Sequence, residues 1–131
     1  MGLPAATANH TVVAIDTHIV LVPTPAPVPT PLPHPFNGIL DGGLVSTVKI
    51  NGQPTAVVGS TCTNTPSHIP TPPGTSFQKP PANQGTVFVG SATVKIGGKA
   101  AARMGDPVTT CNDPVDLPIG KIIASSTVRM G

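Results

Sequence analysis

The stretch "GSATVKIGGKAAARMGD", Gly90–Asp106, joins a strand-like run, a glycine pair and a second short run. Nearly the same phrase stands earlier in the chain as "STVKINGQPTAVVGS", Ser46–Ser60. With Thr47 set on Thr93, Val48 falls on Val94, Lys49 on Lys95, Ile50 on Ile96, Gly52 on Gly98, Ala56 on Ala102 and Gly59 on Gly105. Such a repeat is the signature of a body stacked from copies of one supersecondary unit. The C-terminal "SSTVRMG", Ser125–Gly131, supplies half of a third copy: Thr127, Val128 and Gly131 match Thr93, Val94 and Gly97, while Arg129 and Met130 replace Lys95 and Ile96 like for like. The N-terminal "MGLPAATAN" supplies the other half, placing Pro4, Ala5, Ala6 and Asn9 on Ala100, Ala101, Ala102 and Gly105.

Within each copy, apolar and polar residues alternate: Val48 and Ile50 against Thr47 and Lys49, Val94 and Ile96 against Thr93 and Lys95, Val128 and Met130 against Thr127 and Arg129. A period of two means strands with one buried face. Asn51-Gly52 and Gly97-Gly98 suit the positive φ of a tight hairpin turn, so each copy reads as strand, turn, strand. One hairpin alone is marginal, but three can bury their apolar faces around a common axis. The sequence therefore predicts an all-β, pseudo-threefold cone of hairpins in one domain over residues 1–131. Its termini lie side by side, with Gly131 close to Met1 and Gly2.

Composition agrees with this class. The 131 residues include 18 prolines and no tryptophan or tyrosine, and only 9% are charged. Proline fixes φ and removes a backbone donor, which leaves no room for a long helix. "TVVAIDTHIVLV", Thr11–Val22, is too short to span a bilayer as a helix, carries Asp16 and His18, and reads as a strand. The connections Asn9–Leu44, Ser60–Val89 and Asp106–Ala124 hold all the His and Cys residues. They read as long, stiff, proline-rich loops that run up the body and converge on a tip. A net charge of +2 without an aromatic platform argues against nucleic acid. The first basic residue is Lys49, so a conventional export signal is not expected. Cys62 and Cys111 are expected as thiols or metal ligands, a bridge between them being the alternative.

The phrases "INGQPTAVVG", "IGGKAAARMGD" and "GLPAAT" resemble the proline-alanine-alanine-arginine repeat family, the PAAR proteins. The resemblance implies a β-cone that caps, one copy per spike, the trimeric valine-glycine-repeat spike of a contractile injection system such as type VI secretion or a phage-tail-like particle. The name motif reads Ala100-Ala101-Ala102-Arg103, Pro54-Thr55-Ala56-Val57 and Pro4-Ala5-Ala6-Thr7, so the arginine occurs once. Arg103 and Asp106 are accordingly expected in local capping or ion pairing. Stacking on a true trimer would cover open strand edges, and the residues expected at that base are Val48, Ile50, Val94, Ile96, Val128 and Met130.

The resemblance also implies one structural zinc near the tip, held by three histidines and a cysteine. His18 and His34 from the first connection, His68 from the second and Cys111 from the third would tie all three to one point. His10 aligns with Asp106 and is expected to be a surface or capping residue, Cys62 to be a small buried thiol, and Asp16 to orient His18 from behind. The implied role is mechanical: a spike tip made in the bacterial cytoplasm and exported on the machine. It would contact a target membrane transiently, with effectors carried on its loops and no toxin domain fused beyond Gly131. Two readings compete with it: a small metal-dependent hydrolase with Asp16 or Asp113 as base, and a secreted β domain with a disulfide.

Overall fold

Asn51 and Gly52 take φ of 51° and 79°, and Gly97 and Gly98 take 60° and 83°, the pair of positive values that a two-residue hairpin turn requires. A computed structural model of the chain describes residues 2–23 and 26–131. Its strands are β1 (Leu3–Pro4), β2 (Thr11–Val22), β3 (Val28–Gly42), β4 (Val45–Ile50), β5 (Gln53–Thr55), β6 (Thr61–Asn64), β7 (Ser76–Phe77), β8 (Gln84–Val87), β9 (Lys95–Ile96), β10 (Lys99–Ala100), β11 (Pro107–Thr110), β12 (Leu117–Ile123) and β13 (Arg129–Met130), and among the described residues there is no helix.

The repeat copies form equivalent hairpins. Ile50 pairs with Gln53 in β4–β5, Ile96 with Lys99 in β9–β10, and Met130 with Leu3 in β13–β1. The third hairpin is thus assembled from the two ends of the chain. Gly2, at φ 102°, sits so close to Met130 that a Cβ there would lie 2.6 Å from its carbonyl oxygen and 3.3 Å from the Gly131 nitrogen. The expected place of Met1 beside Gly131 lies outside the described residues.

Around the axis the three copies bond to one another in a closed cycle. The Ala6 N–H donates to the Ala102 carbonyl, Ala102 to Ala56, and Ala56 back to Ala6, each at 3.0 Å. All three alanines are fully buried. A second cycle surrounds it, with Ala8 N–H to the Pro54 carbonyl at 2.9 Å, Val58 to Ala100 at 2.9 Å and Met104 to Pro4 at 2.8 Å.

Each copy then reverses at a residue of positive φ, Asn9, Gly59 or Gly105. A side chain braces each reversal: Thr7 N–H donates to His10 Nδ1 at 3.0 Å, Val57 N–H to Ser60 Oγ at 2.9 Å and Arg103 N–H to Asp106 Oδ2 at 2.7 Å. Three different residue types perform one capping role at equivalent places. Arg103 adds an ion pair to Asp106 at 2.9 Å, so both residues are local, as expected.

Above this base the three connections contribute strands as well as loops. Six strands close into a barrel in the order β12-β11-β8-β6-β3-β2, with β2 returning to β12. Its three hairpins, β2/β3, β6/β8 and β11/β12, follow the same pseudo-threefold. Val12, Cys62 and Val108 face Gly38, Gly85 and Gly120 within their own hairpins, and Ile122, Leu40 and Val87 across the seams.

The prolines fit the sheet because of where they fall. β2 uses its even-numbered residues toward β3, since Thr17 N–H goes to Asn112 Oδ1 and the Ile19 and Leu21 carbonyls accept from Gln78 and Thr75. Their partners on β3 are also even, so Pro29, Pro31, Pro33 and Pro35 turn their nitrogens to the other side. There β6 reaches only Gly38–Gly42. Proline lacks a donor only where no strand asks for one, and it blocks that edge against further pairing.

Two apolar clusters result. The barrel cluster gathers Val12, Phe36, Leu40, Cys62, Val87, Val108 and Ile122 above Ala6, Ala56 and Ala102. The base cluster gathers Ile50, Ile96 and Met130, each 7% exposed, with Ala5, Val57 and Ala101. Of the six residues expected at the base, those three are therefore largely interior, whereas Val48 and Val128 are exposed and Val94 is half-buried.

The inward glycines make the barrel narrow enough to fill. A Cβ on Gly120 would lie 2.9 Å from Thr110 Cγ2, 3.0 Å from the Val108 carbonyl oxygen and 3.1 Å from Val12 Cγ1. Gly120→Ala is therefore expected to destabilise the fold by about 1–3 kcal/mol through overpacking, read as a lowered denaturation midpoint. Ser46→Ala, at an exposed position, is expected to leave the midpoint unchanged.

Candidate metal centre

β2 is much longer than β6 or β11, so the first hairpin outruns the other two and makes the point of the molecule. Alternation decides what it carries inward. On β2 the buried face runs Val12, Ala14, Asp16, His18, Val20, and on β3 it runs His34, Phe36, Gly38, Leu40. Register places Asp16 opposite His34 and His18 opposite Leu32. Cys111 follows the end of β11, and His68 enters on the segment between β6 and β7, anchored by its N–H on Asn83 Oδ1 at 2.8 Å.

These elements bring Asp16, His18, His68 and Cys111 together, with one donor atom from each lying within 4.8 Å of all the others. His68 Nε2 stands 3.1 Å from Asp16 Oδ2, and the Cys111 Sγ 3.6 Å from both Asp16 Oδ2 and His18 Nε2. The expected ligand His34 is not in this group of four, in which Asp16 stands instead; its ring packs alongside, 5.3 Å from His18 and 5.6 Å from His68 between centroids. Its Nδ1–H donates to the Leu32 carbonyl at 2.9 Å, and its Nε2 accepts the Thr71 N–H at 3.2 Å. Phe77, on β7, lies against both His18 and His34.

Asp16 is more central than its expected place behind His18. It is fully buried, and its Oδ1 accepts from Thr110 Oγ1 at 2.5 Å and from Asn112 Nδ2 at 3.4 Å. The carboxylate nearest the His18 Nδ1 is instead Asp113, at 3.5 Å. The signal for Asp16 lay in the period of two along "AIDTHIV", which puts Asp16 and His18 on one face.

Burial shifts two of the histidines and the thiol. It lowers the pKa of His18, reinforced by the neighbouring His68, and it lowers that of His34. The Cys111 thiol is pushed up to about 11 by burial and by Asp16. Two imidazoles beside a thiol and a carboxylate, with one atom from each of the four within 4.8 Å of the others, are a donor set that suits zinc. The residues present fit a metal ion. Cys62 stands apart in the barrel core, fully buried, its thiol pushed up to about 12 chiefly by burial, and His10 is the cap already described.

A pseudo-threefold all-β cone with a His, Cys and Asp cluster toward its point defines a class of small structural tip proteins. The PAAR motif family model matches residues 33–115 and 77–131, which together cover most of the chain, and the protein belongs to that family. Its members are structural spike-tip proteins of contractile injection systems. No curated protein matches the chain as a relative.

Both cysteines are free and buried, which removes the bridged alternative. The thiolate is the reactive form, and with both thiols shifted upward it amounts to under about 1% near pH 8. A chromogenic thiol reagent is expected to find almost no reaction in the native protein and two thiols after unfolding. A count of zero after unfolding without reductant would show a disulfide instead.

Proposed function

We propose that the protein caps the end of a trimeric valine-glycine-repeat spike, one copy per spike, and carries the point that a contractile machine drives into a target membrane. The observation that carries this reading is the cycle of hydrogen bonds through Ala6, Ala56 and Ala102. It gives a single chain three equivalent hairpins, so a monomer can meet three identical subunits without leaving two of them uncovered. The contact would be made by the base, where Val48, Val94 and Val128 form the outward rim over the buried Ile50, Ile96 and Met130. The same hairpins carry Lys49, Lys95 and Arg129 at equivalent register positions. The role is mechanical rather than catalytic, with the protein travelling out of the cell on the machine and offering its barrel wall to effector cargo.

Zinc would be held by His18, His34, His68 and Cys111. His34 Nδ1–H on the Leu32 carbonyl leaves the lone pair on Nε2, which accepts the Thr71 N–H at 3.2 Å and would give up that bond to a metal ion. Asp16, its Oδ1 tied to Thr110 and Asn112, would turn Oδ2 to the same ion from within the cluster. A closed site of this kind supplies folding energy where the cone is too narrow for an apolar core.

The test is association of the purified chain with its cognate spike trimer, with metal content measured in the same sample. One chain per trimer and one zinc per chain are expected. Val48→Asp combined with Val128→Asp, both at exposed positions, is expected to weaken association roughly tenfold or more by burying unpaired charge while zinc content stays unchanged. His34→Ala should lower zinc content, and full zinc retention in that variant would remove His34 from the ligand set. No association of the wild-type chain with the trimer would overturn the capping role.

A further inference from the structure

His18 is 1% exposed, and its Nδ1 has no hydrogen-bond partner. The group that faces it is Asp113 Oδ2, at 3.5 Å, on a side chain only 6% exposed. Asp113 is not a wandering surface acid. Its Oδ2 accepts the Ile19 N–H at 2.9 Å, its own N–H donates to the Thr17 carbonyl at 2.8 Å, and the preceding Asn112 takes the Thr17 N–H on its Oδ1 at 2.7 Å. Residues 112 and 113 thus cover the backbone of β2 beyond the short strand β11, where no other strand bonds to Thr17. This clip holds a carboxylate 3.5 Å from Nδ1 of the His18 ring. The opposite ring nitrogen, Nε2, points to the Cys111 Sγ at 3.6 Å.

A neutral imidazole has one N–H, and a buried carboxylate beside one ring nitrogen attracts that proton to it and leaves the lone pair on the other. We propose that Asp113 is a positioning residue that holds His18 in the Nδ1–H form, so that the Nε2 lone pair is directed to a metal ion beside Cys111. This inference rests on the metal reading above and gives Asp113 the part the sequence assigned to Asp16. The carboxylate is supplied by the third barrel hairpin and the histidine by the first. Pairing them locks two of the three hairpins together at the level of the metal.

The experiment uses the full-length chain, with zinc affinity measured by competition against a chromophoric chelator and the His18 tautomer by long-range proton–nitrogen NMR. Wild type is expected to show a proton on Nδ1 and none on Nε2. Asp113→Asn keeps the size of the side chain but removes its charge, and Asp113→Ala removes the acceptor. Zinc affinity is expected to fall by about 10-fold to 100-fold in Asp113→Ala and by less in Asp113→Asn, with His18 losing its single tautomer in the former. If Asp113→Ala does not fold, Asp113→Asn and the wild-type tautomer decide the matter. Affinity within twofold of wild type in the folded variants, or a proton on Nε2 in wild type, would overturn the proposal. Wild type that takes up no zinc would overturn the metal reading itself, an outcome seen before any variant is made.

Discussion

Three backbone hydrogen bonds, Ala6 to Ala102, Ala102 to Ala56 and Ala56 to Ala6, close on themselves at the axis of the base. A cycle of this kind needs all of its members, and one of them is donated by a hairpin that exists only when β1 and β13 meet. Alanine stands at all three places, fully buried, while neighbouring positions differ among the copies. Buried N–H and C=O groups must be paired, so opening any one copy would leave the other two with unsatisfied groups. The fold is therefore an all-or-none closure of widely separated segments, a topology that makes folding slow relative to local structures.

From that closure the rest follows upward. The reversals at Asn9, Gly59 and Gly105 send three chains out of the ring at equivalent angles, and His10, Ser60 and Asp106 hold them there. The three barrel hairpins inherit the symmetry and keep it as far as Gly38, Gly85 and Gly120. Beyond that level only one of the three hairpins, β2/β3, continues, joined by the short β7 at Val20 and Leu21, and the symmetry ends. A narrowing cone has little apolar interior to bury, and the inward positions pass from Val12 and Leu40 to Asp16, His18 and His34. Specific polar bonding replaces packing where packing runs out, which is where a metal ion would contribute most. The blunt symmetric end suits a trimer, and the asymmetric end suits a point.

Much of the base was legible because its signals are local and repeated: the alternation in "TVKI", the Asn-Gly and Gly-Gly turns, and the alanines that follow them. The extent of β2, Thr11–Val22, was also readable from its β-branched run. The barrel was not, for two physical reasons. Alternate prolines at 29, 31, 33 and 35 look like polyproline until the register shows that their nitrogens all face an edge with no partner strand. The strands β6, β8 and β11 are so short that alternation has no room to show, and their shared feature is an inward glycine on the return strand, a residue that sequence reading assigns to turns. At the tip, His18, His68 and Cys111 were recognisable as residues that could meet, but Asp16 rather than His34 is the fourth of the group, and the acid nearest His18 Nδ1 is Asp113. Which of two acids faces a given ring depends on how residues 112 and 113 clip onto β2, a long-range contact with no local signal.

The closed alanine cycle is tested most directly by native-state hydrogen exchange at the amides of Ala6, Ala56 and Ala102. If the three copies open only together, all three amides should exchange through global unfolding, with equal protection and equal dependence on denaturant. Faster exchange at Ala6 than at Ala56 and Ala102, with a shallower denaturant dependence, would mean that the hairpin built from the chain termini opens by itself. That result would contradict a base held by one closed ring.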